Sequence, residues 1–310
     1  MNRLFRNTFV FLLGFMATVS AAPPDAPANR EPDKVIHLWR EGDWKGELPD
    51  GWKTEGAEIN EPTGHMGGII TVKNISDPVL SYFAPDKAKT AEGKGKGIII
   101  CPGGGYNILA WDLEGTEIAT WLSGLGYHAW VLKYRLPRPG TQDVRHLAAL
   151  QDAQRALSLV RSQAKETGLN PDQLGIMGFS AGGHLAAMAS LKYNERSYTA
   201  KDAIDAVSCR PSFTVLIYAA YLVKDNDSKM DPEYVINAST PPAFLSHAAD
   251  DPIPCRTPIE YFLALKKNNI PAELHIWPDG GHGYGLRSTL SPKAWPDRLA
   301  DWLTRQGEAK

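Results

Sequence analysis

The chain has 310 residues, 43% hydrophobic and 22% charged, with 33 Lys+Arg against 35 Asp+Glu and a formal net charge of -2. That balance, without a basic run to track phosphates, speaks against nucleic acid as a partner. Nine Trp, eleven Tyr and nine Phe exclude a disordered chain, and at this length a core forms without a metal or disulfide staple.

The first residues read as a separate object. Arg3 and Arg6 precede the apolar stretch 9–17, small residues fill 18–22, and Pro23-Pro24 follows. A charged start, a short hydrophobic centre and a small-residue exit make the order of a secretory signal. The stretch is shorter than the roughly 20 residues that span a bilayer, and no Cys follows to carry a lipid. We expect residues 1–22 to be removed, with cleavage near Ala21 or Ala22. The product would be secreted or periplasmic, with no membrane contact. Its three cysteines are Cys101, Cys209 and Cys255. Cys209 precedes one expected strand and Cys255 follows another, so parallel pairing puts them at opposite ends of the sheet. Bridging needs Cα atoms within about 7 Å, and no disulfide is expected. No Cys-x-x-Cys or paired-His spacing suggests a metal.

Residues 23–67 open with Pro23, Pro24, Pro27 and Pro32 and carry Trp39, Trp44 and Trp52, which reads as an irregular arm packed on the body. From Gly68 the pattern becomes regular. Runs 68–72 and 78–83 read as strands joined by turn residues 74–77, a hairpin-like antiparallel edge; 86–96 reads as a loop. Continuous apolar runs at 97–101, 128–132, 174–178, 213–219, 243–248 and 272–276 suit strands buried on both faces. Helical patterns at 114–122, 143–165, 182–191, 257–267 and 296–305 lie between or after them. In the longest, Leu150, Ala153, Leu157 and Val160 recur at helical steps. Alternating strands and helices predict one α/β domain over 68–310, its central sheet mostly parallel and covered by helices on both faces.

Four features carry chemistry. Gly178-Phe179-Ser180-Ala181-Gly182 is Gly-x-Ser-x-Gly between a strand and a helix, the strained turn that projects a nucleophilic hydroxyl. Its glycines let strand and helix approach, and the helix N-terminus places partial positive charge beside a developing anion. Gly103-Gly104-Gly105 directly follows a buried strand; its backbone N–H groups, with that of Ala181, suit an oxyanion. The glycine spacing fits neither a phosphate loop nor a dinucleotide fingerprint. A Ser hydroxyl needs a neutral imidazole to take its proton. Of eight His, His282 stands in the Gly-rich loop 278–285 after the last strand, at the rim where Ser180 emerges; His184 and His247 read as packing residues. The strand 243–248 runs into Asp250-Asp251, and one of these carboxylates would orient the His. Counting from the rigid strand favours Asp251; counting back from Pro254 favours Asp250. Ser162-Gln163-Ala164-Lys165 fits Ser-x-x-Lys but lies within the predicted helix 143–165 without its companion motifs, and is taken as chance.

Cys101-Pro-Gly-Gly-Gly-Tyr106, Leu132-Lys-Tyr-Arg-Leu-Pro137, Met177-Gly-Phe-Ser-Ala-Gly-Gly-His184 and Gly280-Gly-His-Gly-Tyr284 together resemble the α/β-hydrolase superfamily over about 68–305. Within it they are similar to secreted carbohydrate esterases of the xylan acetylesterase and feruloyl-esterase-like type. The chain departs from hormone-sensitive-lipase-like esterases in carrying Pro102 where a His usually precedes the glycines. The resemblance implies a Ser180–His282–Asp251 triad, with Asp250 the alternate acid, and an oxyanion hole from Gly103, Gly104 and Ala181. It implies no cofactor and an acylated plant carbohydrate as substrate.

Tyr106 and Trp111 follow the oxyanion loop and are the expected substrate-facing aromatics. Arg135 and Asp152 read as a structural pair. Residues 224–233 are strongly polar, which favours a short acyl group on a polar alcohol over a long chain. A serine peptidase of the same fold and a feruloyl or general short-chain esterase are the alternatives. A glycoside hydrolase would need an opposed carboxylate pair. No motif sets an oligomeric state.

Overall fold

The computed structural model describes residues 30–39, 59–63, 68–75, 77–137, 146–223, 230 and 233–306. The expected export signal (1–22), Trp44 and Trp52, and most of the polar stretch 224–233 lie outside the described residues.

Strands β1 (Lys34–His37), β2 (Ile59–Thr63), β3 (Ile69–Lys73) and β4 (Val79–Phe83) come first, then the single turn α1 (Thr90–Gly93). They are followed by β5 (Gly97–Cys101), β6 (Leu109–Ala110), a π-helical turn (Asp112–Thr116), α2 (Glu117–Gly124) and β7 (His128–Lys133). Next are α3 (Leu147–Ser162), α4 (Ala164–Thr167), β8 (Leu174–Phe179), α5 (Ser180–Leu191) and β9 (Thr214–Ile217). The chain closes with β10 (Ala243–Ala248), α6 (Arg256–Lys267), β11 (Ala272–Trp277) and α7 (Trp295–Thr304).

Eight strands form one sheet in the order β1-β4-β7-β5-β8-β9-β10-β11. From β7 to β11 every pairing is parallel, while β4 pairs antiparallel with both β7 and β1. The apolar runs explain why these strands are central: β5, β8, β9 and β10 are buried at every position. Alternation sends Ile98 and Ile100 into one core with Ile118 and Leu122 of α2 and Trp295 and Leu299 of α7. Ile99 and Cys101 enter the other, with Leu150 and Leu157 of α3, Leu185 of α5 and Leu265 of α6. Helices therefore cover both faces, as the continuous apolar strands require. The chain winds outward on either side of β5, from β5 to β7 and then back to β8. Such a switch point opens a crevice at the carboxyl ends of the strands.

The expected hairpin is corrected. β3 leaves the main sheet and pairs antiparallel with β2 and β6 in a separate three-stranded sheet, and only β4 joins the large one. The reason is burial. β4 is apolar on both faces and takes a neighbour on each side, and the chain turns away between the two strands at Asn74, whose φ is +55°. The antiparallel edge is built from β1 and β4 instead. The segment expected as an irregular arm thus supplies the edge strand of the main sheet.

Candidate active site

Four loops meet at the carboxyl rim. Ser180 follows β8, the glycine loop follows β5, Asp251 follows β10 and His282 follows β11. Ser180 has φ +50°, a left-handed conformation that a non-glycine residue adopts only at a cost of about 1–3 kcal/mol. The sharp turn works because its flanks are bare. A Cβ on Gly178 would stand 2.0 Å from the Gly182 carbonyl oxygen, and one on Gly182 would stand 2.0 Å from that of Cys101. Strand, helix and glycine loop close in, and the hydroxyl remains on the rim, with Ser180 8% exposed.

The hydroxyl finds its partner across the sheet. Ser180 Oγ is 2.9 Å from His282 Nε2, and His282 Nδ1 is 2.7 Å from Asp251 Oδ2. With Nδ1–H donating to the carboxylate, Nε2 is the acceptor for the serine hydroxyl. Asp251 has a fully buried side chain, and its other oxygen accepts the Ile253 N–H at 2.7 Å. Asp250, the alternate acid, is exposed and accepts instead from the Gly280 and Gly281 N–H groups, at 3.2 and 2.8 Å. It tethers the loop that carries His282 and does not contact the imidazole.

The glycine loop needs a correction. The Gly103 N–H donates to Glu114 Oε2 at 2.7 Å, so it faces away from any oxyanion. Of the three amides expected there, those of Gly104 and Ala181 remain. Ala181 sits in the first turn of α5, where an N–H has no intrahelical acceptor. Gly103 itself packs against Ser180: a Cβ there would lie 2.8 Å from Ser180 Cβ and 2.6 Å from Glu114 Oε2.

Tyr106 is also corrected. Its side chain is 1% exposed and its hydroxyl lies 2.8 Å from His184 Nδ1, so it supports the loop from within. His184 in turn reaches the Tyr234 hydroxyl through Nε2 at 2.9 Å, as a packing histidine does. Among the described residues, Tyr221 is an exposed aromatic on this side, and its ring stacks on Tyr106 with centroids 6.3 Å apart. Trp111 is half-buried against both cores. His247 is buried, with Nε2 2.8 Å from the Ile253 carbonyl oxygen; burial lowers its pKa against the opposing pull of Asp251.

Glu114 and Tyr218 carry no sequence signal that marks them for this rim. Glu114 belongs to the π-helical turn and is buried; a Glu opening a helix reads as an ordinary partner of the helix dipole. Burial pushes its carboxyl up, opposed by His282, the Tyr218 hydroxyl and the Gly103 N–H. The Arg135–Asp152 pair is present at 2.8 Å and fully buried. The three thiols are free. Among the described residues no group of three His, Cys, Asp or Glu could hold a metal, and no helix is long and apolar enough to cross a membrane.

The BD-FAE family model matches residues 84–215. An acetylxylan esterase of Xylanibacter ruminicola is 32% identical over 216 residues, which are 62% of this chain and 42% of that protein; the chain thus spans less than half of that relative. Among solved structures, an acetyl ester-xyloside bifunctional hydrolase from Caldicellulosiruptor lactoaceticus superposes with a TM-score of 0.68 at 30% identity, covering 88% of this chain and 96% of that one. MGS-M1, an α/β-hydrolase enzyme from a Medee basin deep-sea metagenome library, superposes with a TM-score of 0.58 at 27% identity, covering 80% and 96%. The sheet order, the strained serine turn after β8 and these likenesses agree: the chain belongs to the α/β-hydrolase superfamily and resembles its carbohydrate esterases.

Proposed function

We propose that this protein is a serine carboxylic-ester hydrolase that removes a short acyl group, acetate foremost, from acylated plant polysaccharide or oligosaccharide. One observation carries the reading: the unbroken hydrogen-bonded chain Ser180 Oγ–His282–Asp251, with contacts of 2.9 and 2.7 Å. His282 takes the hydroxyl proton as Oγ attacks the ester carbonyl, and Asp251 stabilises the imidazolium that forms. The oxyanion settles on the amides of Gly104 and Ala181, each worth about 3 kcal/mol of transition-state stabilisation. Collapse expels the sugar alcohol with the proton from His282. Water then attacks the acyl-enzyme by the same route, releasing the acid.

The substrate class rests on the acetylxylan esterase relative and the acetyl ester-cleaving structural neighbour, and on the polar composition of 224–233. No cofactor enters the reaction. The proposal extends to residues 1–22 as an export signal, so that the mature chain expressed with its leader begins near Pro23; N-terminal sequencing of the exported protein checks this. The chemistry is tested with p-nitrophenyl acetate against longer acyl esters, and with acetylated xylan scored for acetate, ferulate, reducing sugar and, on a peptide substrate, amide cleavage. Acetate release is expected to dominate, and Ser180→Ala to abolish it. Wild-type turnover in folded Ser180→Ala would falsify the mechanism.

A further inference from the structure

We propose that Glu114 is a positioning residue for the acyl-transfer reaction, holding the glycine loop with one carboxylate oxygen and, through Tyr218, the loop of His282 with the other. The inference rests on the acyl-transfer reading above and assigns a further residue to that site.

Glu114 is 4% exposed, and both of its oxygens are engaged. Oε2 accepts the Gly103 N–H at 2.7 Å, and Oε1 accepts the Tyr218 hydroxyl at 2.9 Å. On the far side of the same peptide, the Tyr134 hydroxyl donates to the Pro102 carbonyl at 2.6 Å. The peptide ahead of Gly103 is thus clamped from both ends. Further along, the Gly103 carbonyl accepts from Ala110 N–H, and that of Gly104 accepts from the Asn107 and Ile108 N–H groups. Of the amides expected at an oxyanion this loop then offers that of Gly104, which belongs to the next peptide, whose Gly103 carbonyl is held by Ala110. In the other direction, the Tyr218 oxygen accepts the Gly285 N–H at 3.2 Å, and the Tyr218 ring meets that of His282 with centroids 4.9 Å apart. One side chain therefore ties the oxyanion donor to the general base.

Two further observations set this apart from packing. The carboxylate is delivered by a π-helical turn, with Thr116 N–H bonded to Trp111 and Glu117 N–H to Asp112, a geometry that recurs at functional sites. Burial also disfavours the ionised carboxyl, so a side chain that only filled this space would be apolar.

The test compares Glu114→Leu, Glu114→Gln, Tyr218→Phe and Ser180→Ala in the full chain. The readouts are kcat and KM on p-nitrophenyl acetate, the rate of phosphonylation of Ser180 by an activated phosphonate ester, and the thermal melt. Glu114→Leu is expected to lower kcat about 100-fold, the scale of a lost oxyanion donor, with KM within about threefold. Glu114→Gln keeps an acceptor for Gly103 and should recover part of that loss, while Tyr218→Phe should cost about tenfold. Phosphonylation should slow by matching factors. A purely structural role predicts a lower melt with kcat unchanged well below it; a folded Glu114→Leu within about threefold of wild-type kcat, or a loss confined to KM, overturns the proposal. If Glu114→Leu does not fold, the other two Glu114 and Tyr218 variants decide, and wild-type kcat in both overturns it. A dead Ser180→Ala beside unaffected Glu114 and Tyr218 variants sinks this inference alone, whereas an active Ser180→Ala sinks it together with the acyl-transfer reading.

Discussion

Asp250 and Asp251 are adjacent carboxylates separated by what they can reach. Asp251 is buried against His282 Nδ1, whereas Asp250 turns outward and collects two backbone N–H groups of the histidine loop. Replacing the buried one by an amide offers an N–H where the imidazole needs an acceptor, which favours the wrong tautomer. Asp251→Asn is expected to lower kcat/KM by about 10³–10⁴-fold, and Asp250→Asn by less than about tenfold, because only loop tethering is lost. Steady-state kinetics on p-nitrophenyl acetate checks both. A second residue-scale prediction concerns His128, whose ring lies 6.0 Å from that of Tyr82 and 5.9 Å from that of Trp130, with Nδ1 2.8 Å from the Tyr82 hydroxyl. Burial lowers its pKa from the ordinary value of 6.5. Between the lowered value and 6.5 the unfolded chain therefore binds a proton that the folded one does not, and stability falls as pH drops below about 6.5. His247 acts in the same sense. His128→Gln should flatten the decline by up to about 1.4 kcal/mol per pH unit, read as the difference in urea midpoint between about pH 7 and about pH 5.5.

At the scale of elements, the serine turn depends on three backbones meeting where side chains are missing. Gly182→Ala drives a Cβ to 2.0 Å from the Cys101 carbonyl and 2.5 Å from that of Pro102, so β5 and α5 must part. We expect a loss of about 1–3 kcal/mol or more and displacement of Ser180. Gly124→Ala, at the end of α2 with nothing within 4 Å of the added atom, is the matched control. It should be neutral or stabilising by up to about 1 kcal/mol; thermal melts of the two variants give the comparison. The contrast also shows what was legible in advance. The buried strands and the serine turn announce themselves, because a continuous apolar run or a Gly-x-Ser-x-Gly has few other uses. β1 does not: three of its four residues are exposed, and an edge strand with so little burial leaves no period to read. β3 was legible as a strand but not in its partners, since pairing is set by distant segments. The Gly103 amide departs from its expected place for a related reason. Its acceptor is a side chain eleven positions on, brought back by a π-helical turn that no local pattern predicts.

For the molecule as a whole, the segment that follows the edge strand β1 is part of the structure that supports the site. Trp39 is 8% exposed and its indole N–H donates to Asp152 Oδ1 at 2.7 Å. The guanidinium groups of Arg135 and Arg155 lie 5.7 and 5.4 Å from its ring centroid, and Tyr198 meets it edge-on at 4.8 Å. Arg155 also donates to the Leu38 carbonyl at 3.0 Å, while Asp152 accepts the backbone N–H of Arg135 at 2.8 Å. Arg135 directly follows Tyr134, whose hydroxyl holds Pro102 at the head of the glycine loop. Trp39→Ala removes a large buried ring and one donor to a buried carboxylate together. The expected loss is about 3–5 kcal/mol, which lowers the melting temperature by several degrees. Trp39→Phe keeps most of the ring and loses the donor, for about 1–3 kcal/mol. Because Asp152 keeps Arg135 and Tyr134 keeps Pro102 in both variants, kcat measured well below the melt should stay within about twofold of wild type. A fall in kcat with the melt unchanged would show that the segment after β1 reaches the reacting atoms and does more than brace the frame that carries them.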